Sequence, residues 1–499
     1  MEPLRIVIVG GGTAGWMTAA GLSYACRDRI AQVTLVESEE IGTIGVGEAS
    51  IPSLVTFNQF LKIDEREFMA RTKATFKLGI EFRDWGALGD SYMHPFGPFG
   101  HSFGMAAFHH YWLKAQQAGD HTPLSDYNLN TALARRNAFT PPSPDRASPL
   151  SALVYAYHFD AGLYAAYLRS YAENFGVKRI EGKVVAVGQD AESGHITGVT
   201  LGDGRTIEGD FFIDCSGFRG LLIEETLKAG YEDWTGLLPC DRAVAVPCEN
   251  QYPLTPFTRA TARGAGWQWR IPLQHRTGNG LVYSSAHMSD DEAVDTLLTH
   301  LDGAALADPR LIRFRTGRRR TVWEKNCVAI GLSAGFLEPL ESTAIHLTQR
   351  GVTKLITSLP RKGFDPVLAR RFNEDTRFEY EDVRDFLLLH YALTRRDDTA
   401  FWRESRTRGV SDSLKARMAL FATSGRIQVG TDELFKDASW LAVMDGQGLK
   451  PRGYDPLADM VDEDDIRRSL DFIRTTFARI AEQTPPHDAF LTTHFGSLG

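Results

Sequence analysis

The strongest constraint on this chain lies in its first forty residues, where a short apolar run, Leu4 to Val9, passes directly into glycines at 10, 12 and 15. A β-branched run of this kind suits a parallel strand buried on both faces. A helix from Ala14 to about Cys26 and a second strand from Gln32 to Glu37 would complete a βαβ unit. In that setting Gly10, Gly12 and Gly15 have specific work: they permit a tight turn and a close backbone approach to a pyrophosphate. The amides of Thr13 and Ala14, at the helix start, would face the phosphates, and Glu37 would reach a ribose hydroxyl. A glycine turn used only for packing leaves the acidic residue at the end of the second strand unexplained. The unit therefore predicts a dinucleotide, with NAD and FAD equal at this point because both use it.

The remainder of the chain narrows the class. With 499 residues, 43 % hydrophobic and 24 % charged, it can bury a large core in two domains, or in one large domain with an extra layer. A net charge of −8 argues against nucleic acid and anionic membrane surfaces, which need a dominant cationic face, and favours a small-molecule partner. Five scattered cysteines, Cys26, Cys215, Cys240, Cys248 and Cys327, form no CxxC and read as reduced thiols. The N-terminus has no basic region ahead of its apolar stretch, and no run is long enough to span a bilayer, so a cytoplasmic location is expected.

Further elements follow from pattern. Tyr164 to Phe175 predicts a helix, and Lys183 to Val187, Ile196 to Leu201 and Phe211 to Cys215 predict strands, together similar to the middle of a flavoprotein sheet. Ser289 with Glu292 predicts a capping box opening a helix through Leu301, and Asp365 with Pro366 a second helix start. Val383, Phe386, Leu387 and Tyr391 mark one face of that helix, and most of the chain to Phe477 reads as helical. The one low-complexity stretch, Thr140 to Pro149, is a Pro/Ser-rich loop between ordered segments.

Several later motifs occur together. Ile213 to Gly220 (IDCSGFRG) and Cys327 to Phe336 (CVAIGLSAGF) resemble the two later strands with which FAD-dependent oxidases and hydroxylases wrap their cofactor, although Leu332 or Ser333 stands where many of them place an aspartate on the ribityl chain. Trp267 to Pro272 (WQWRIP) fits WxWxIP; Phe96, Pro98, Ser102 and Gly104 fit FxPxSxG with a small spacing difference; Ile44 to Glu48 reads IGVGE and Pro339 to Thr343 reads PLEST. Through these stretches the chain resembles the flavin-dependent tryptophan halogenase family over nearly its whole length, least after about residue 430.

The resemblance implies an α/β fold: an FAD-binding Rossmann-like flavoprotein module over residues 1–365, with an inserted substrate-pocket segment at about 80–150, and a mostly helical substrate-binding layer over 366–499. It implies an oxidoreductase in which FADH2, dioxygen and bromide or chloride yield hypohalous acid, which passes an indole wall to a separate aromatic pocket. Cofactor contacts would come from Gly10, Gly12, Thr13, Ala14, Gly15, Glu37, Ala49, Gly331 and Leu337, and the wall from Trp267 and Trp269. A tryptophan pair is otherwise usually core packing. Lys77, in Thr75-Phe76-Lys77, is similar to the family's essential amine, which holds the oxidised halogen by hydrogen bonding or becomes a haloamine; without the resemblance it would read as a solvated surface charge.

Glu341 carries over as the carboxylate that assists the electrophile and takes the ring proton; its plain alternative is a helix N-terminal carboxylate facing the dipole. Halide is assigned to the amides of Thr343 and Ala344, where much of the family has glycine at the second position. His101 and Phe103 match the pair that lines the ring pocket, with Pro52 beside it. His109 and His110 are expected to point apart on a helix and to bind no metal.

Family members that act on free tryptophan place paired tyrosines where this chain has Trp440 and Leu441. Loss of those hydroxyls removes partners for a zwitterion, so indole or a tethered aromatic is the expected substrate. No second glycine motif for NAD(P)H is visible, which implies a separate flavin reductase; an oligomer is compatible with the sequence. The competing readings are a single-component flavin-dependent aromatic monooxygenase and a non-catalytic flavin-binding redox protein.

Overall fold

The computed structural model describes residues 2–27, 29–40, 47–362 and 364–496, so Ile44 to Val46 of the IGVGE stretch lie outside the described residues. The chain divides into two compact units, each assembled from three segments: residues 1–74, 159–238 and 313–381 form the first, and 75–158, 239–312 and 382–499 the second. The expected boundary at residue 365 falls within the last segment of the first unit, and the 80–150 insertion falls in the second.

The first unit is built on a six-stranded sheet in the order Trp323–Glu324, Cys327–Ala329, Phe211–Asp214, Leu4–Val9, Ala31–Glu37, Lys178–Glu181. All neighbours are parallel except the edge pair, in which Trp323 lies opposite Val328. Ile6 to Val9 are buried on both faces, as the uninterrupted apolar run requires. The helix Thr13–Cys26 returns the chain between the first two strands. Gly21 lets the helix Ala344–Thr357 approach it closely, since a Cβ there would lie 2.6 Å from Val352 Cγ1.

One sheet expectation is corrected. Phe211–Asp214 joins the parallel sheet, but Val184–Gln189 and Ile196–Leu201 form a separate three-stranded antiparallel sheet with Thr206–Glu208. The physical reason is visible in Val184–Gln189, where exposure follows Val184 for most of the strand, as in a sheet with one wet face.

The second unit holds a seven-stranded sheet in the order Arg310–Arg313, Arg242–Cys248, Thr277–Tyr283, Gly266–Pro272, Thr258–Arg263, Gly79–Arg83, Ser91–Pro95. Its register puts the WxWxIP strand at the centre, with Trp269 opposite Gly280 on one side and Ala260 on the other. A short strand, Thr75–Lys77, runs antiparallel to Ala156–Asp160 and pairs Thr75 with His158 and Lys77 with Ala156. Helices fill the rest, including Asp437–Gly446, Glu463–Gln483 and His487–Phe495. The capping box forms as expected, Ser289 and Glu292 exchanging bonds at the start of Asp290–Thr299. Asp365 Oδ1 likewise accepts from Val367 N at 2.8 Å at the start of Pro366–Ala392. Among the described residues no helix is long and apolar enough to cross a membrane.

Candidate active site

In the first unit, the glycine turn has the shape of a cofactor cradle. Gly10 sits at φ +115°, and a Cβ there would lie 2.2 Å from the Cys215 carbonyl oxygen, so only glycine lets the first strand end against its neighbour. A Cβ on Gly15 would lie 1.9 Å from Gly10 O, which fixes the helix close to the strand. Gly12 differs: nothing stands within 4 Å of where its Cβ would be, so the space over the helix start is open. No side chain caps that helix at Gly12, which leaves first-turn amides for an anion. Glu37 lies over the same turn, close enough that a Cβ on Gly11 would meet its carboxylate, and it accepts from Trp16 Nε1 and from Arg179. These residues fit the ADP part of FAD.

On the strand beside Leu4–Val9, Asp214 organises the following turn: its carboxylate accepts from Leu222 N at 2.7 Å, Ile223 N at 2.8 Å and Ser216 N at 2.9 Å. The single Ser333 hydroxyl proton is shared between Asp214 O and Ile330 O, so none is left to donate to a ligand. Gly331, at φ +78°, makes room for Ala14, and Ala49 and Leu337 are buried. Leu332, Leu337 and Ala344 line one small cavity, which brings expected flavin and halide residues together.

The PLEST stretch folds as a 3₁₀ turn, Pro339–Glu341, followed by Ser342 in the left-handed region at φ +59° and then the helix Ala344–Thr357. A non-glycine residue there is strained, and such strain tends to sit at functional sites. Glu341 is buried, Thr343 is fully buried, and the Thr343 hydroxyl neither caps the helix nor bonds another described residue. The helix start therefore offers amides and a hydroxyl to a small anion. Pro52 stands at the N-cap of Ser53–Phe60, whose first side chain bonds His346 Nδ1 at 2.9 Å and Gln349 at 2.9 Å.

In the second unit three sequence motifs converge. Thr75 Oγ1 donates to the carbonyl of Pro272, the last residue of WQWRIP, at 2.6 Å. Having spent its proton, it accepts from His158 Nδ1 at 3.1 Å, and His158 Nε2 then accepts from Thr258 Oγ1 at 2.9 Å. Burial above all, with Lys77 nearby, holds His158 well below its usual range, in keeping with that neutral tautomer. Lys77 is fully buried, 0 % exposed, with its ammonium 5.2 Å from the Phe96 ring centroid. That burial removes the ordinary reading of a lysine as a solvated surface charge.

Trp267 and Trp269 lie on one face of their strand, ring centroids 6.1 Å apart at 57°. Gly280 makes room for Trp269, because a Cβ there would lie 2.1 Å from the nearest indole ring carbons. The indole N–H of Trp269 is buried and makes no hydrogen bond among the described residues.

The expected aromatic pocket is less uniform. His101 is exposed, while Phe103 is half-buried against Tyr111 at 4.4 Å. Trp440 is buried: its indole donates to Phe435 O at 3.1 Å, takes Arg417 on its face at 4.1 Å and meets the Phe386 edge. Leu441 is buried beside it. The expectation that His109 and His110 point apart is also corrected, since their rings lie 4.1 Å from each other. His109 donates to Gly425 O at 2.9 Å and His110 accepts from Asp455 N at 3.1 Å, so backbone groups of two adjacent loops draw both rings the same way.

With this geometry in place, comparison with known proteins gives a consistent result. The family model for tryptophan halogenase matches residues 5–463. Tryptophan 7-halogenase RebH of Lentzea aerocolonigenes is 37 % identical over 486 residues, covering 91 % of each chain. Among solved structures, BrvH, a flavin-dependent halogenase from Brevundimonas sp. BAL3, superposes with a TM-score of 0.95 at 48 % identity, over 99 % of this chain and 100 % of its own. A flavin-dependent halogenase from Xanthomonas campestris gives 0.95 and 48 %, over 99 % of both chains.

Proposed function

Because the chain belongs to the tryptophan halogenase family, we propose that it is an FADH2-dependent halogenase whose preferred substrate is indole or a tethered indole-like aromatic, with Lys77 and Glu341 as its catalytic pair. When bound, reduced FAD would supply two electrons to dioxygen and the halide two more, so that one oxygen atom leaves as water and the other is carried with the oxidised halogen as hypohalous acid. The chain's own residues do the rest. Amides of Thr343 and Ala344 hold the halide at a helix start whose neighbouring hydroxyl is unused. Trp267 and Trp269 screen the organic ring from the oxidant's source. Lys77 holds the oxidised halogen; a buried amine both polarises it by hydrogen bonding and keeps it from water. Attack by the ring forms the carbon–halogen bond and releases water, and Glu341 accepts the proton that the ring must lose.

The observation that carries this reading is the complete burial of Lys77 on a strand tied by Thr75 to the WxWxIP strand. A separate flavin reductase supplies the reduced cofactor, since the chain has one dinucleotide motif. Substrate choice follows from the C-terminal segment: Trp440 and Leu441 offer no hydroxyl to an amino-acid backbone, so tryptophan must surrender hydration of two charges without replacement. Equimolar indole and tryptophan, incubated with the protein, a flavin reductase, FAD, NADH and bromide, should give bromoindole in excess by mass spectrometry. Preferential bromination of tryptophan would show that other residues anchor its charges.

A further inference from the structure

The family match ends at residue 463, yet the last helix, His487–Phe495, packs against the strand that carries Lys77. His487 is fully buried at its start. Its Nδ1 lies 3.1 Å from Leu254 O, and its Nε2 lies 3.2 Å from Phe76 N. A carbonyl oxygen only accepts, so Nδ1 carries the proton and Nε2 presents a lone pair to the Phe76 N–H. Burial pushes His487 down to about 4, so the ring keeps that form at neutral pH.

The strand needs such an acceptor. Thr75–Lys77 pairs with Ala156–Asp160 along one edge, and the Phe76 amide points away from that edge, toward His487. The Phe76 side chain is gripped as well: it stacks on Phe139 at 3.8 Å and 10°, with Phe490 edge-on at 5.8 Å and Phe495 at 6.1 Å. The helix is itself moored, His487 N donating to Asn137 O at 2.7 Å and Phe139 N to Pro485 O at 3.2 Å. Because alternate residues of a strand face opposite sides, a grip on Phe76 fixes the direction in which Lys77 projects.

We propose that His487 is a positioning residue for Lys77, its Nε2 lone pair and the helix behind it fixing the Phe76 backbone and so the place of the lysine amine. The proposal rests on the assignment of Lys77 as the group that holds the oxidised halogen. The pair His487→Leu and His487→Gln separates it from general packing. Leucine leaves the Phe76 N–H without an acceptor, whereas the glutamine amide oxygen can occupy the Nε2 position.

The measurement is coupling, the fraction of oxidised bromide that ends on indole rather than on a β-diketone scavenger in solution, alongside FAD affinity by fluorescence and thermal melting. His487→Leu should lose roughly tenfold or more in coupling, about 1.4 kcal/mol of barrier difference, with KM for indole and FAD affinity unchanged, and His487→Gln should recover most of it. Wild-type coupling in a folded His487→Leu, or equal loss in both variants, overturns the proposal. If neither variant folds, Phe490→Ala, which loosens the Phe76 grip and leaves the hydrogen bonds, should uncouple in the same direction, and wild-type coupling there overturns it. Lys77→Ala run in parallel keeps the two ideas apart. Coupled bromination retained in Lys77→Ala overturns the lysine assignment, while loss there with coupling intact in His487→Leu overturns only the role of His487.

Discussion

Glu341 is buried at the end of a 3₁₀ turn and is followed by a left-handed serine, so the backbone sets the point from which its side chain projects. Replacing it with glutamine would keep the shape and remove the proton acceptor. Glu341→Gln should therefore lower turnover by roughly 10²- to 10⁴-fold, the usual range for a general base, with FAD affinity unchanged; an unchanged rate with chemistry limiting would leave Glu341 a role at the helix start only. Residues of this kind were legible because each stands in a short motif. Thr75, Phe76 and Lys77 could be named from three adjacent letters, but their anchors, His158 and His487, are 83 and 411 positions from Thr75 and Phe76 respectively. Isolated histidines in the sequence carry no such signal. The partners of Trp440 carry no such signal either: Phe435 O, which accepts from its indole, and Arg417, which lies on its face, follow no motif.

At the scale of elements, the glycine turn separates two roles that the GxGxxG pattern merges. Gly15 is required by the protein, since a Cβ would lie 1.9 Å from Gly10 O, whereas Gly12 faces open space. Gly15→Ala should therefore destabilise the fold, by about 1–3 kcal/mol for overpacking. Gly12→Ala should leave thermal melting unchanged and weaken FAD binding by about tenfold or more, the effect of roughly 1.4 kcal/mol. Fluorescence titration and differential scanning fluorimetry on both variants read these outcomes. Wild-type FAD affinity in Gly12→Ala would move the pyrophosphate away from this helix. Local chemistry made the first βαβ unit and the Ser289 cap legible, because turn, helix and strand are written in adjacent residues. The seven-stranded sheet was not legible: its strands come from residues 79–95 and 242–313, and their pairing is a long-range fact that no local period expresses.

For the molecule as a whole, pH acts through buried histidines. His110 and His487 are held down to about 4 and His346 to about 3, and His109 and His158 are also lowered, with burial the leading cause in each. The unfolded chain takes up a proton on each near about 6.5 that the fold refuses, so this stability is complete above that pH and drains away as pH falls toward 4. Two carboxyls oppose it: burial raises Glu48 to about 7 and Asp382 to about 6, so they favour the fold as pH falls from 7 toward the ordinary carboxyl range. Five groups against two give the sign, and the melting temperature should fall between pH 6.5 and 5; a flat or rising profile would show that these rings are not buried neutral. The claim that all of this structure serves halogen transfer is tested most directly by the mass of the product. With flavin reductase, NADH, FAD, air, bromide and indole together, the protein should yield a bromoindole with its paired isotope peaks, and omitting FAD, oxygen or bromide should abolish it. Hydroxylated indole formed at the same rate with or without bromide would contradict the account and make the chain a monooxygenase.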